Sequence, residues 1–73
     1  MIKIPEGITK TDVIVAIQER ILGLHAERNQ KILHMKLIQG ATFEEIAEEF
    51  QLSDRRVKDI VYKGCNIIFK HIH

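Results

Sequence analysis

The side chains best suited to specific chemistry lie close together, between Thr42 and Lys63 of the 73-residue chain. Arg55 and Lys58 are three residues apart, a spacing that places two cations on one face of a helix. Guanidinium and ammonium groups carry only hydrogen-bond donors, so they suit the recognition of phosphates and carbonyl-type acceptors. The pattern therefore indicates the binding of an anionic, acceptor-rich partner.

Four histidines, at positions 25, 34, 71 and 73, raise the question of a metal site. A helical chelate needs ligands at i, i+3 or i, i+4 spacing, and His71 and His73 are too close together for that. His25 and His34 fall on different predicted helices, with no cysteine or carboxylate motif around them. We predict no metal site and no cofactor.

The sequence contains no pattern typical of an enzyme. It has no nucleophile–base pair and no glycine-rich loop that could cradle a phosphate, and its core is too small for a substrate pocket. Cys65 falls on an apolar stripe and is predicted to be a small buried hydrophobe. We expect a protein without enzymatic activity.

The composition describes a single globular domain over residues 1–73, with 45% apolar residues. One proline and four glycines favour long helices over a sheet. The net charge is +1, but residues 51–73 carry +3 and residues 41–50 carry −4. A mildly basic C-terminal third is compatible with nucleic-acid binding and only weakly indicates it.

The cellular compartment follows from what the chain lacks. A lone Cys65 cannot form an internal disulfide, which fits a reducing environment. No leader opens the chain, and no apolar run approaches the roughly 18–20 residues that span a bilayer. We expect a cytoplasmic protein with no membrane contact.

Apolar periodicity predicts an all-α fold of about four helices. Its parts are an arm over residues 1–9, an extra helix over 10–27, a tri-helical core over 29–63 and a helical extension over 64–73. The extra helix is expected to run through Gly23 to about Leu24 or beyond. The last helix either continues through Gly64 or breaks there and restarts as a short fifth helix.

The segment that begins at Thr42 carries the most specific pattern. Thr42 and Glu45 form a capping box at the start of a short helix, and Ser53 caps the next helix. Ala47 supplies the small residue that two helices need where they cross steeply. Gln51 occupies the turn position where a left-handed backbone usually selects glycine. This arrangement predicts a helix-turn-helix.

With the apolar faces of these helices buried, the outward face of the later helix would enter the major groove of double-stranded DNA. Arg55 and Lys58 would then donate to guanine, and Asp54 and Asp59 could accept from cytosine or hold neighbouring cations in place. The predicted DNA-contacting residues are Thr42, Phe43, Ser53, Asp54, Arg55, Arg56, Lys58, Asp59, Tyr62 and Lys63.

Phosphate contacts are expected at the edges of this surface. Thr42, Phe43 and Ser53 would offer free backbone amides at helix N-termini. Arg56 and Lys63 are placed to neutralise backbone charge.

The stretch Gly40–Val57, GATFEEIAEEFQLSDRRV, resembles the pattern G-x-[ST]-[FY]-x-E-[IL]-A-x-x-[FYL]-G-[LI]-S-x-x-x-[VI]. This pattern is found in Mor-type phage transcription activators and in the promoter-binding C-terminal domain of sigma factors. The resemblance covers about Gln30 to Lys63, half of the chain. It implies DNA contact through Ser53–Lys63 and a small transcriptional regulator of phage or bacterial origin. RNA polymerase is a compatible partner that the residues themselves do not indicate.

An alternative function is a protein-interaction module or adaptor that reuses the fold without binding DNA. Substitution of Arg55 or Arg56 should weaken a DNA-binding protein. An interaction module should respond instead to substitution of Ile68 or Phe69.

The apolar residues of Val13–Leu24 and Ile67–Ile72 exceed what one small core should absorb. We therefore expect a homodimer that buries one or both segments and sets two recognition helices about 34 Å apart. In the alternative, the first helix packs back to complete a four-helix monomer.

Overall fold

Within residues 4–70, the part of the chain that the computed structural model describes, the backbone forms four α-helices and no strand. They are α1 (Lys10–Arg20), α2 (Ala26–Leu37), α3 (Phe43–Phe50) and α4 (Asp54–Lys70). The all-α prediction is confirmed. The first three residues of the predicted arm, together with His71, Ile72 and His73, lie outside the described residues.

The start of α1 is fixed by a turn and a capping box. The Ile8 amide donates to the Pro5 carbonyl (3.2 Å) and closes a turn between them. Thr9 then caps the helix: its hydroxyl accepts from the Asp12 amide, and its own amide donates to the Asp12 carboxylate, both at 3.1 Å. Asp12 also places a negative charge where the helix dipole favours it.

The end of α1 differs from the prediction. The helix stops at Arg20, rather than continuing to Leu24, because Ile21 adopts an extended conformation and Gly23 adopts a φ of +103°. The Ile21 carbonyl, which a longer helix would have bonded internally, accepts instead from the Gln30 side chain (2.8 Å). Gly23 therefore belongs to the turn that lets α2 reverse direction, and not to the helix.

The connection from α2 to α3 turns at a glycine. Gly40 has a φ of +75°, and the Ala41 amide donates back to the Met35 carbonyl (3.0 Å). This bond satisfies a carbonyl in the last turn of α2, as left-handed C-terminal caps do. The chain then enters the capping box at Thr42, which the structure confirms.

The turn between α3 and α4 contains the left-handed residue that the pattern predicted. Gln51 has φ 55° and ψ 44°, and the next amide, that of Leu52, donates to the Ala47 carbonyl (2.9 Å). Ser53 caps α4, since its hydroxyl accepts from the Arg56 amide (3.1 Å). Ala47 is buried at the crossing of α3 with α4, as expected.

Replacing Gln51 by glycine should stabilise the protein. A residue with a Cβ is strained at this φ, whereas glycine is not, and the relief exceeds the entropy that glycine loses on folding. We expect the free energy of unfolding, measured by urea denaturation, to rise by up to about 1 kcal/mol. Gln51→Ala, which retains a Cβ, is the matched control and should bring no gain.

The hydrophobic core draws on all four helices, and α4 contacts each of the other three. Its buried members are Val13, Ala16, Ile17, Ile21, Ile32, Leu33, Leu37, Ile46, Ala47, Val57, Ile60, Val61, Cys65 and Ile68. Burial raises the pKa of the Cys65 thiol from 9.0 to about 11. Cys65 is thus the small buried hydrophobe that the sequence predicted.

The helix α4 continues without a break through Gly64, so no separate fifth helix forms within residues 4–70. A Cβ at Gly64 would lie 2.5 Å from Cδ1 of Leu33 on α2. The absence of a side chain at Gly64 therefore allows α2 and α4 to pack closely at Leu33.

The four-helix chain buries part of the apolar residues that suggested a homodimer, whereas Val15 and Ile67 stay exposed. Val13, Ile17 and Ile68 are almost wholly enclosed, whereas Leu22 and Leu24 remain exposed. The first helix packs against α2 and α4, and the homodimer and the four-helix monomer both remain predictions. Sedimentation at micromolar concentration distinguishes the two states, since a mass near 8.5 kDa excludes the dimer.

Two further features concern membranes and metals. Over residues 4–70, no helix combines the length and the apolar character needed to cross a bilayer. In the same part of the chain, no group of three or more histidine, cysteine, aspartate or glutamate side chains is arranged to hold a metal ion.

Candidate nucleic-acid interface

The candidate site is built on α4, which is buried along one side and exposed along the other. The apolar residues recur at helical spacing and face the core: Val57, Ile60, Val61, Gly64, Cys65 and Ile68. Because this stripe is fixed against the other three helices, it also fixes which side chains point to solvent. The polar residues of the first two turns are thereby held on the outer side.

Arg55 and Lys58 are both exposed, as predicted. At 100° per residue they lie about 60° apart around α4, so they occupy one continuous face. Asp54 and Ser53 are also exposed at the start of this face. The hydroxyl oxygen of Ser53 accepts from the Arg56 amide in the cap of α4. Arg55 and Lys58 carry the charged hydrogen-bond donors of this face.

The start of α3 joins this face through an aromatic contact. The ring of Phe43 lies 5.9 Å from the ring of Tyr62, centroid to centroid. The Lys58 ammonium lies 5.7 Å from the Phe43 centroid, and that of Lys36 lies 4.3 Å from it. Such cation–π contacts restrain long, flexible side chains. Phe43 therefore positions two lysines at the edge of the exposed face.

The sequence interpretation missed Lys36. Its ammonium also donates to the Ala41 carbonyl (3.1 Å), which places the charge beside the N-terminus of α3. Its position in the last turn of α2, before the capping glycine, was a signal that could have identified it.

Thr42 does not offer the free backbone amide that the sequence suggested. Its amide donates to the Glu45 carboxylate (2.8 Å), while its hydroxyl accepts from the Glu45 amide (3.1 Å). The hydrogen bond from the Thr42 backbone, then that with its side chain, lower the pKa of Glu45. Desolvation opposes this shift, and attraction to Lys36 adds to it. A carboxylate at this helix end would repel a phosphate from the Thr42 amide.

The capping box of α3 should be measurable as pH-dependent stability. Thr42→Ala should lower the free energy of unfolding by about 1 kcal/mol at neutral pH, the usual value for an N-cap. Because the pKa of Glu45 is lowered by folding, its stabilising effect is present above the ordinary value of 4.5 and is lost as the pH falls through the folded value. The stability difference between wild type and Glu45→Ala should therefore shrink in acid.

Urea unfolding at pH 7 and at roughly pH 3 would measure this effect. Glu44→Ala is the control, since it removes a charge from the same helical turn and leaves the box intact. Equal losses of stability for the two variants at neutral pH would contradict the assigned role of Glu45.

On the opposite flank of α4, Asp59 binds two cations. Its carboxylate lies 3.8 Å from the Arg56 guanidinium and 3.3 Å from the Lys63 ammonium. All three side chains are substantially exposed, so the pairs add little stability. Their effect is geometric, because they hold Arg56 and Lys63 along one side of the helix, as one of the two interpretations of Asp59 anticipated.

Comparison of the chain with models of protein families gives a match. A family model described as sigma-70, region 4 matches residues 26–67, more than half of the chain. The chain belongs to the sigma-70 region 4 family. The match includes α2, α3 and most of α4, and it confirms the resemblance to sigma factors stated for Gly40–Val57. No curated protein and no solved structure matches the chain.

Sigma-70 region 4 is the C-terminal helix-turn-helix region with which sigma factors bind promoters. Membership gives this chain a DNA-binding fold associated with transcription. The helix α1 lies before the matched residues.

Proposed function

We propose that this region 4 protein binds double-stranded DNA sequence-specifically, with the first half of α4 in the major groove, and acts as a small transcriptional regulator. One observation carries the proposal: Arg55 and Lys58 lie side by side on the exposed face of α4. The core fixes that orientation, so both cations would reach the groove together. Family membership supports the DNA contact itself.

Specificity would come from the groove-facing side chains. Arg55 and Lys58 would donate to the O6 and N7 acceptors of guanine. Asp54, exposed in the first turn, would accept from a cytosine amino group or orient a neighbouring cation. Each such contact favours one base pair over the others, which is how a helix distinguishes sequences.

Affinity would come from phosphate contacts at the edges of the face. Lys36 and the Phe43 amide lie at the N-terminus of α3, where the helix dipole is positive. Tyr62 is exposed next to Phe43 and can donate its hydroxyl to a phosphate. These groups would position the protein without reading bases.

Selection from a random-sequence duplex library tests the proposal. The wild-type protein should enrich a short motif that contains guanine, and Arg55→Ala should lose the preference at one base pair while keeping the others. Lys31→Ala is the matched control, because Lys31 is exposed and paired with Glu27 on α2, away from α4. Recovery of no motif by the wild-type protein would contradict sequence-specific binding.

A protein-interaction role is favoured by a separate observation. Leu22 and Leu24 are 71% and 93% exposed in the turn after α1. Ile68, suggested from the sequence as an interaction residue, is fully buried, so its substitution would disrupt the core instead. RNA polymerase is the partner that the family implies for sigma factors.

The exposed turn provides the test of this second role. Leu24→Ser should abolish co-purification with bacterial RNA polymerase and leave binding to random duplex unchanged. Unchanged co-purification would show that the exposed turn after α1 does not bind the polymerase.

A further inference from the structure

We propose that Arg20 of α1 joins Arg56 and Lys63 of α4 in a clamp for phosphates of the second DNA strand. The proposal rests on the proposed DNA binding and extends it to a helix that the region 4 match does not include. The ligand is the phosphodiester backbone of duplex DNA.

The clamp is a cleft of about 280 Å³ between the end of α1 and the middle of α4. Arg20, Arg56 and Lys63 lie around it with Asn29, and Leu33 and Gly64 contribute to its floor. Three cations and an amide thus face one open space, against the single carboxylate of Asp59. The excess of positive charge and of hydrogen-bond donors fits a phosphate.

The cleft lies on the flank of α4 that would face the second DNA strand. Arg56 and Lys63 are seven residues apart, so they lie on the same side of the helix. Lys58 lies about 160° around the helix from Arg56. A helix in the major groove has one strand along each flank. If the Lys58 flank meets one strand, the Arg56 flank meets the other.

The helix α1 brings Arg20 to this flank. It packs against α4, and its last residue, Arg20, borders the same cleft as Arg56 and Lys63 of α4. Arg20 is exposed, so it is available to a ligand and its replacement should leave the core intact. The negative end of the α1 dipole also favours a cation there.

Asp59 gives the clamp a distinct signature. Its carboxylate holds Arg56 and Lys63 at 3.8 and 3.3 Å, and it would lie close to an incoming phosphate. Asp59→Asn removes that repulsion, so it should strengthen binding to random duplex.

The experiment compares salt dependence of binding to a random-sequence duplex of about 25 base pairs by fluorescence anisotropy. Arg20→Ala should weaken binding on the order of fivefold at about 100 mM salt and reduce the slope of log K against log salt by roughly 0.9, the value for one phosphate contact. Arg20→Lys should largely restore the slope. Lys31→Ala, outside the cleft, should change the slope less than Arg20→Ala.

The result that overturns the clamp is an Arg20→Ala slope equal to that of Lys31→Ala while the wild-type protein still binds duplex. That outcome leaves the proposed DNA binding standing, whereas absence of wild-type binding refutes both. Inorganic phosphate at constant ionic strength is the second arm. A saturable shift of the Gly64 amide resonance with phosphate, together with DNA binding that Arg20→Ala leaves unchanged, would assign the cleft to a free anion and overturn the proposal.

Discussion

Replacing Arg55 and Lys58 together by alanine should lower the affinity for duplex DNA by roughly 100-fold at about 100 mM salt. Both side chains are exposed on the face of α4 that the core directs outward. Each loses charge-assisted donation to a base or phosphate, and neither supports the fold. The thermal unfolding midpoint of the double variant should therefore stay close to that of the wild type.

The two residues should fail in different ways when changed singly. Arg55 has a fork of donors that can bind guanine in a bidentate manner, so Arg55→Ala should relax specificity as well as affinity. Lys58 is a point charge restrained near the Phe43 ring, and Phe43→Leu should reproduce part of the Lys58→Ala effect. Anisotropy titrations against a selected duplex and a scrambled one would separate specific from general losses.

A charge-matched control is available on α2. Arg28→Ala with Lys31→Ala also removes two cations, but from a surface that α4 does not share. If this control weakened DNA binding as much as the α4 pair, only net charge would matter. The assignment of the α4 face would then be wrong.

The second large effect concerns stability, at the contact between Gly64 and Leu33. A Cβ on Gly64 would lie 2.5 Å from Cδ1 and 2.8 Å from Cδ2 of Leu33. Leu33 is fully buried, so its methyl groups have little room to move. Gly64→Ala gains about 1 kcal/mol in helix propensity, but overpacking costs about 1–3 kcal/mol. We expect a net loss of stability.

The double variant isolates the contact. Leu33→Ala alone should cost about 2–5 kcal/mol through the cavity that it leaves. With Leu33 already shortened, the new Cβ of Gly64→Ala meets open space and partly fills it. The double variant should therefore be destabilised by less than the sum of the single changes, as measured by urea unfolding.

Two results would contradict this packing. Additive losses would mean that residues 33 and 64 do not meet. A stabilising Gly64→Ala would mean that Leu33 turns aside into the cleft beside it, which its methyl groups border.

Features set by neighbouring residues were predictable from the sequence. The capping box of Thr42 and Glu45 and the cap at Ser53 depend on residues three positions apart, and all appear as expected. Gln51 also takes the left-handed conformation, since the crossing of two helices demands it whatever residue stands there. Local hydrogen bonds leave few alternatives in such cases.

The sequence was wrong about one helix end and undecided about a glycine, and both features involve contacts between residues distant in the chain. The end of α1 depends on Gln30, which reaches the Ile21 carbonyl from the next helix. The sequence left open whether α4 breaks at Gly64, and in the structure the helix is continuous there, with Leu33 of α2 against the glycine. A glycine within a helical pattern fits either outcome, and only the packing of another helix selects one.

In the candidate site, too, some features follow from one helix alone and others from contacts between helices. Arg55 and Lys58 were identifiable because helical periodicity alone sets their face. The contact of Phe43 with Tyr62 and the approach of Arg20 to Lys63 join different helices. Periodicity within one helix carries no information about such contacts, which the crossing of the helices determines.

The central claim, that this protein binds DNA, is tested most directly by titrating the wild type against a random-sequence duplex at about 50 and 200 mM salt. We expect measurable binding at the lower salt concentration and a steep loss of affinity at the higher one, since several phosphate contacts release counterions. Absence of binding even near 50 mM salt, from a protein shown to be folded, would contradict it.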